Sequence, residues 1–164
     1  MIDADQLDTL IDRILYYLHP EIPYSKHAKE LLLMTAAHES GLGTYLAQKK
    51  GPARGIYQVE PTTEQHVLAK LSATNRPLYN KLTALNLLLD GQDGSTTDND
   101  SYHNLAYQTA LARCIYFLKP GSIPTTPEGM AAYAKKYWNT PKGKATELDY
   151  LLAYRRIKRK GGTV

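Results

Sequence analysis

The stretch AAHESGLGTYLAQKKGPARGIYQVEP, residues 36–61, holds the side chains best suited to chemistry. An apolar run from Leu31 leads into a lone carboxylate, Glu39, and Gly41 and Gly43 follow at once. Glycines there stop a helix, so Glu39 falls in its last turn. A carboxylate at that end meets the negative pole of the helix dipole. A partly dry groove would oppose its ionisation further. A carboxylic acid still protonated near neutral pH is what a general acid requires. Position alone also fits a surface glutamate at a fraying helix end. Ser40 beside it either bonds a ligand, ties down the following loop, or is a plain helix-end hydroxyl.

Competing chemistries lack their parts. His38-Glu39 would need a second histidine where Leu42 stands to bind zinc as a metalloprotease. GPARG lacks the Gly-Lys-Ser/Thr ending of a phosphate loop. No serine or cysteine sits in a nucleophile elbow. Cys114 is the single cysteine, so neither a disulfide framework nor a cysteine metal site is expected. His19, His27, His66 and His103 are scattered, and Asp90, Asp93, Asp98 and Asp100 lack the spacing of a calcium loop. No metal and no cofactor are expected. Downstream of Glu39 the next acid is Glu60. In an extended strand Gln58 and Glu60 share a face, so both could reach one groove. Glu60 is then a second carboxylate, or the charge that favours the N-terminus of a helix opening at Pro61.

The elements that must position these residues read as helices. Leu7, Leu10, Ile11, Ile14, Leu15 and Leu18 recur at helical spacing over 3–19, behind Asp3 or Asp5 as cap. Ser25 caps a second helix to about Ser40. Thr62-Thr63-Glu64-Gln65 reads as a capping box for a third. A fourth runs from about Pro77 to Leu89, before a polar loop at 90–100. A fifth spans about 101–118, a sixth opens at Thr126-Pro127 and continues through Trp138, and a last one starts near Thr146. At most, 45–59 forms a short hairpin or extended excursion. The expectation is an all-α single domain over 1–164 of about seven helices, with a basic tail from about 155.

Two motifs together carry a resemblance. Glu39-Ser40, followed by Gly55-Ile56-Tyr57-Gln58-Val59-Glu60-Pro61, resembles the Glu-Ser and Gly-Leu-Met-Gln-x-x-Pro motifs of the lysozyme-like superfamily, in its lytic transglycosylase and goose-type lysozyme branch. GPARG resembles the Gly-Ala-x-Gly lead into the second motif. MAAYAKKYW, residues 130–138, is similar to the family's Ala-Tyr motif, and HNLAYQTALARCIYFL, 103–118, to its Asn-Ile-x-x-Gly helix. The resemblance covers roughly 28–140.

It implies a lysozyme-like fold and cleavage of the MurNAc-β-1,4-GlcNAc bond of peptidoglycan. Glu39 would protonate the glycosidic oxygen. As a lytic transglycosylase it would then act as base on the muramyl 6-hydroxyl, giving a 1,6-anhydro product. Gln58, Tyr57 and the Gly55-Ile56 backbone would line the groove. Tyr133 would place its hydroxyl near Glu39, Asn104 would stand beside the groove, and Ser40 would hold substrate or loop. Lysozymes that pair the glutamate with a nearby aspartate have that acid where Gln48 stands here, so hydrolysis would fall to Glu60. The short chain and its YWNTPKGKAT ending resemble phage-encoded members.

Bulk composition bounds the rest. The chain has 164 residues, 43% hydrophobic, with 13 tyrosines against one Phe and one Trp. That is a globular balance, and tyrosines suit a wet groove holding polar ligands. The N-terminus lacks a basic n-region, so no signal peptide is read. No apolar run reaches the ~20 residues of a membrane span. Net charge is +4, which permits an anionic partner without choosing one. RRIKRK, 155–160, suits a helix C-terminus, or contact with cell wall, lipid head groups or an acidic protein. The first expectation is therefore a phage endolysin or virion-associated wall-opening enzyme, acting from the virion or host cytoplasm on peptidoglycan strands. A second is a virion structural protein, docked on other virion proteins, that keeps the fold with little activity. The third, resting on charge alone, is a nucleic-acid-binding helical domain.

Overall fold

The computed structural model describes residues 1–86, 101–140 and 142–161. Among these, seven α-helices and no strands are found: α1 Ala4–Leu18, α2 Lys26–Ser40, α3 Pro61–Thr74, α4 Arg76–Asn86, α5 Leu105–Phe117, α6 Pro127–Ala134 and α7 Glu147–Gly161. The all-α expectation holds. The polar loop at 90–100 and the end of the fourth helix lie outside the described residues.

Local chemistry sets most helix starts. The Asp3 carboxylate accepts from the backbone N–H groups of Asp5 and Gln6 at the head of α1. Ser25 does the same for Ala28 in α2, and Thr126 for Gly129 in α6. Each satisfies N–H groups that the helix itself leaves unbonded. The capping box at Thr62 is not used. Helix α3 begins one residue earlier, at Pro61, whose fixed φ suits the first helical position. Glu60 occupies the N-cap without a side-chain cap bond, and Glu64 accepts instead from the Tyr107 hydroxyl.

Helix α2 is the centre. Leu31 to Ala37 are buried without a break, because α1, α5, α6 and α7 all pack against it. A helix apolar on every side is the pattern that such enclosure demands. Helices α3 and α4 pack on one another and on α5.

Three segments differ from a plain helical reading. The fifth helix is preceded by a 3-10 turn, Ser101–His103, and starts only after Asn104. The sixth stops as an α-helix at Ala134 and widens into a π turn, Lys135–Asn139. The Lys135 ammonium explains it, donating to Asn139 Oδ1 and to the carbonyls of Thr140 and Gly143 at 2.8–2.9 Å. The basic run at 155–160 belongs to α7 and is no tail. No described helix is long and apolar enough to cross a membrane.

The excursion between α2 and α3 forms isolated bridges only. Arg54 pairs with both Ala47 and Val59, and its two bonds with Val59 close the loop 54–59.

Candidate active site

Glu39 stands one residue before the end of α2, and Gly41 caps that helix in the left-handed conformation. The chain reverses there, and Ser40 holds the reversal. Its buried hydroxyl donates to Ile56 O at 2.6 Å and accepts from Gly43 N–H at 2.8 Å. Thus the end of α2 is tied directly to the Gly55–Gln58 turn. Of the readings open for Ser40, the structure shows the loop tie: the residue is fully buried and bonded on both sides of the reversal.

The turn itself is tight. Gly55 has φ +76°, and a Cβ there would come within 2.4 Å of Gln108 Oε1. Gln58 has φ 52°, its N–H bonds Gly55 O at 3.1 Å, and its side-chain Nε2 bonds the same oxygen at 2.9 Å. Ile56 and Tyr57 point inward and are fully buried, with the Tyr57 hydroxyl bonded to Thr109. They are core residues rather than groove-lining ones, both side chains packing into the hydrophobic core.

Glu39 and Gln58 line one open groove of about 750 Å³. Glu60 lines it too, together with Tyr45, Gln48, Lys119, Tyr137, Trp138, Asn139 and Thr140 among others. The π turn supplies the aromatic wall, and Trp138 is braced from behind by the Tyr116 ring at 5.0 Å. A π turn re-aims successive side chains relative to an α-helix, and such turns recur at functional sites. At its end Thr140 has φ 69°, a conformation costly for a β-branched residue.

Electrostatics single out Glu39. Burial pushes its carboxyl up to about 7, against the lowering effect of a hydrogen bond from Tyr150. The Tyr150 hydroxyl donates to Glu39 Oε1 at 2.6 Å, and Tyr45 donates to the Glu39 backbone carbonyl at 2.7 Å. Burial, followed by the Glu39 charge, drives the Tyr150 hydroxyl far above its ordinary value, so it remains a donor. His38 also lines the groove, its ring 4.0 Å from that of Tyr150, and burial lowers its pKa.

Comparison with protein-family models, curated proteins and solved structures finds no match to this chain. The site must be read from its own geometry.

Two further residues expected at the groove, Tyr133 and Asn104, do not line it either. Tyr133 makes no hydrogen bond to Glu39. It packs between the rings of Tyr116 and Tyr137 at 5.8 and 4.7 Å, and the hydroxyl at the carboxylate comes from α7 instead. Asn104 is an N-cap: it accepts from Tyr107 N–H and donates to Leu85 O, joining α5 to α4. Sequence reading missed Tyr150, Trp138 and Lys119. A signal for the first exists in α7. Tyr150 and Tyr154 are four apart, hence on one helix face, and their hydroxyls reach two glutamates of α2, Glu39 and Glu30.

Chemically, the arrangement offers a protonated carboxylic acid beside an aromatic wall and an amide. No group of three or more His, Cys, Asp or Glu able to hold a metal occurs among the described residues. The side chains that do converge suit proton transfer to a bound polar molecule.

Proposed function

We propose that this chain is a peptidoglycan-cleaving glycosidase of lysozyme-like fold, with Glu39 as the general acid. The observation that carries the reading is the Glu39 carboxyl itself: half-buried at a helix end, facing an open groove, with its pKa pushed up to about 7. It is supported by the Ser40–Ile56 bond, which fixes the two motifs Glu-Ser and Gly-Ile-Tyr-Gln against each other. The groove is sized for several sugar rings, and Tyr137 and Trp138 offer faces on which their C–H surfaces stack.

In this reading Glu39 protonates the glycosidic oxygen as the bond to the muramyl C1 breaks. The resulting carboxylate then takes the proton of the muramyl 6-hydroxyl, whose oxygen closes onto C1 and gives the 1,6-anhydro product. The Tyr150 hydroxyl, a donor throughout, stabilises the carboxylate between the two steps. The Gln58 amide oxygen, with no hydrogen bond among the described residues, accepts from an N-acetyl N–H or a sugar hydroxyl.

A hydrolytic variant has its own support. Glu60 lines the same groove, and its side chain makes no cap bond to α3. A water activated by Glu60 would attack C1 instead, which requires the two carboxyls ~6.5–9.5 Å apart for inversion. Delivery by a phage, as endolysin or virion part, rests on the resemblance alone.

The test is digestion of purified sacculi by wild type and Glu39→Gln. Muropeptide release is expected to fall by about 10³-fold or more in the variant, the scale of losing an essential general acid. Circular dichroism should be unchanged. Anhydro-muramyl ends in the product spectrum identify the transglycosylase route, and reducing ends the hydrolytic one. Equal release by both proteins would remove the assignment.

A further inference from the structure

The groove is lined by a cation that the reaction above does not use. Lys119 lies just past the end of α5, four residues on from Ile115, and both line the groove. It is half-buried. The other half-buried lysines among the described residues are each tied to oxygens of the chain. Lys29 pairs with Asp8 and Asp12, Lys81 with Glu21, and Lys135 with three oxygens of its own turn. The Lys119 ammonium makes no ion pair and no hydrogen bond within the described chain.

A groove lysine whose stem is partly covered and whose ammonium has no partner among the described residues is free to take an anionic group of a bound ligand. The surrounding charges leave it available. Glu60 lines the same groove yet forms no ion pair with it. The forces on the Glu39 carboxyl come from burial and Tyr150, with none from Lys119. Lys119 therefore stands apart from the reacting acid, where it can hold substrate without drawing the proton off Glu39.

We propose that Lys119 is an anion-recognition position of the groove, binding a carboxylate carried by the glycan, so that acid-bearing strands are preferred over neutral N-acetylhexosamine polymers. This rests on the groove being a glycan site. Two sources supply the same chemistry: the lactyl carboxylate of a muramyl residue whose peptide has been removed, and the carboxylates of the peptide stem.

The experiment measures binding by calorimetry to wild type, Lys119→Met and Lys119→Arg. Three ligands are used: soluble peptide-bearing glycan, amidase-stripped glycan with free lactyl groups, and the neutral N-acetylglucosamine tetramer. Sacculus digestion by wild type is run alongside. Lys119→Met is expected to weaken acid-bearing ligands about five- to tenfold, as for a partly desolvated charged contact. Lys119→Arg should restore most of that, and the neutral tetramer should be unaffected. Loss confined to the peptide-bearing glycan assigns the stem; loss on the stripped glycan assigns the lactyl group. Unchanged binding of both acid-bearing ligands, or an equal loss on the neutral tetramer, overturns the proposal while an intact digestion keeps the enzymatic reading. Wild type that neither digests sacculi nor binds any of the three glycans removes that reading, and this inference with it.

Discussion

At the scale of single residues the site is a contest over one proton. Burial holds the Glu39 carboxyl up to about 7, and the Tyr150 hydroxyl pulls the other way. A hydrogen bond to the charged form favours that form. Removing the hydroxyl must therefore raise the carboxyl further, since only the lowering force is lost. As the proposed general acid, Glu39 would act while protonated, so rates should fall as pH rises through its pKa. In Tyr150→Phe the alkaline limb of the kcat/KM–pH profile is expected to move upward. The rate at the optimum should fall roughly ten- to hundredfold, because the carboxyl loses the contact that fixes its rotamer. A pH-rate series on solubilised glycan reads both effects. A limb that stays in place, or moves down, would show that Tyr150 does not govern the proton. His38, stacked on the same ring, remains in the variant.

At the scale of elements, the groove's walls are held by short clasps rather than by a sheet. One clasp joins the end of α2 to the Gly55–Gln58 turn, Ser40 reaching Ile56; the other lies within the aromatic wall, Lys135 reaching across the π turn to Thr140 and Gly143. The first depends on the geometry of Gly55, where two constraints coincide: a positive φ and a Gln108 side chain in the space a Cβ would need. Gly121 provides the comparison, with φ +78° and nothing within 4 Å of its would-be Cβ. Gly121→Ala therefore meets only the backbone penalty, about 1–2 kcal/mol. Gly55→Ala adds overpacking against a buried side chain, for a total of about 2–5 kcal/mol. It should also displace Gln58 and lower activity in the molecules that still fold. Denaturant unfolding of both variants checks the ordering. Equal losses would mean that Gln108 yields at no cost and that the turn is looser than its contacts indicate.

At the scale of the whole molecule, the acid is mounted at the end of a helix packed on by four others, and its groove partly on a mostly exposed segment. How far each half was legible in the sequence follows from the range of its determinants. Glu39 at a helix end could be read, because the apolar run, Ser25 and Gly41 are local signals. The caps at Asp3 and Thr126 could be read for the same reason. Which acid Tyr150 meets could not: its spacing with Tyr154 marks a shared helix face, but its bond to Glu39 spans 111 positions of sequence and nothing local names that glutamate. The π turn escaped because KKYWN has ordinary helical propensity, and its widening is imposed by Lys135 bonding forward. Asn104 was read as a groove residue although Asn before a helix is first of all a cap.

The same division predicts how the molecule opens. Residues 31–37 are buried and packed on by four helices, so their amides should exchange only through global unfolding. The excursion from Thr44 to Pro52 is mostly exposed and is held by few backbone bonds, among them Gln48 N–H to Ala53 O and Gly55 N–H to Leu46 O. Its amides should exchange at least about a hundredfold faster, by local opening. A glycan bound in the groove as proposed would contact Tyr45 and Gln48 on that excursion. It should slow exchange there in saturating ligand, well beyond any change in α2 relative to global stability. Hydrogen exchange read by mass spectrometry, with and without N-acetylglucosamine tetramer, measures both segments at once. Exchange in the excursion as slow as in α2 without ligand would mean that the groove is rigid before it binds. Ligand protection confined to α2 would place the sugar somewhere other than between these walls.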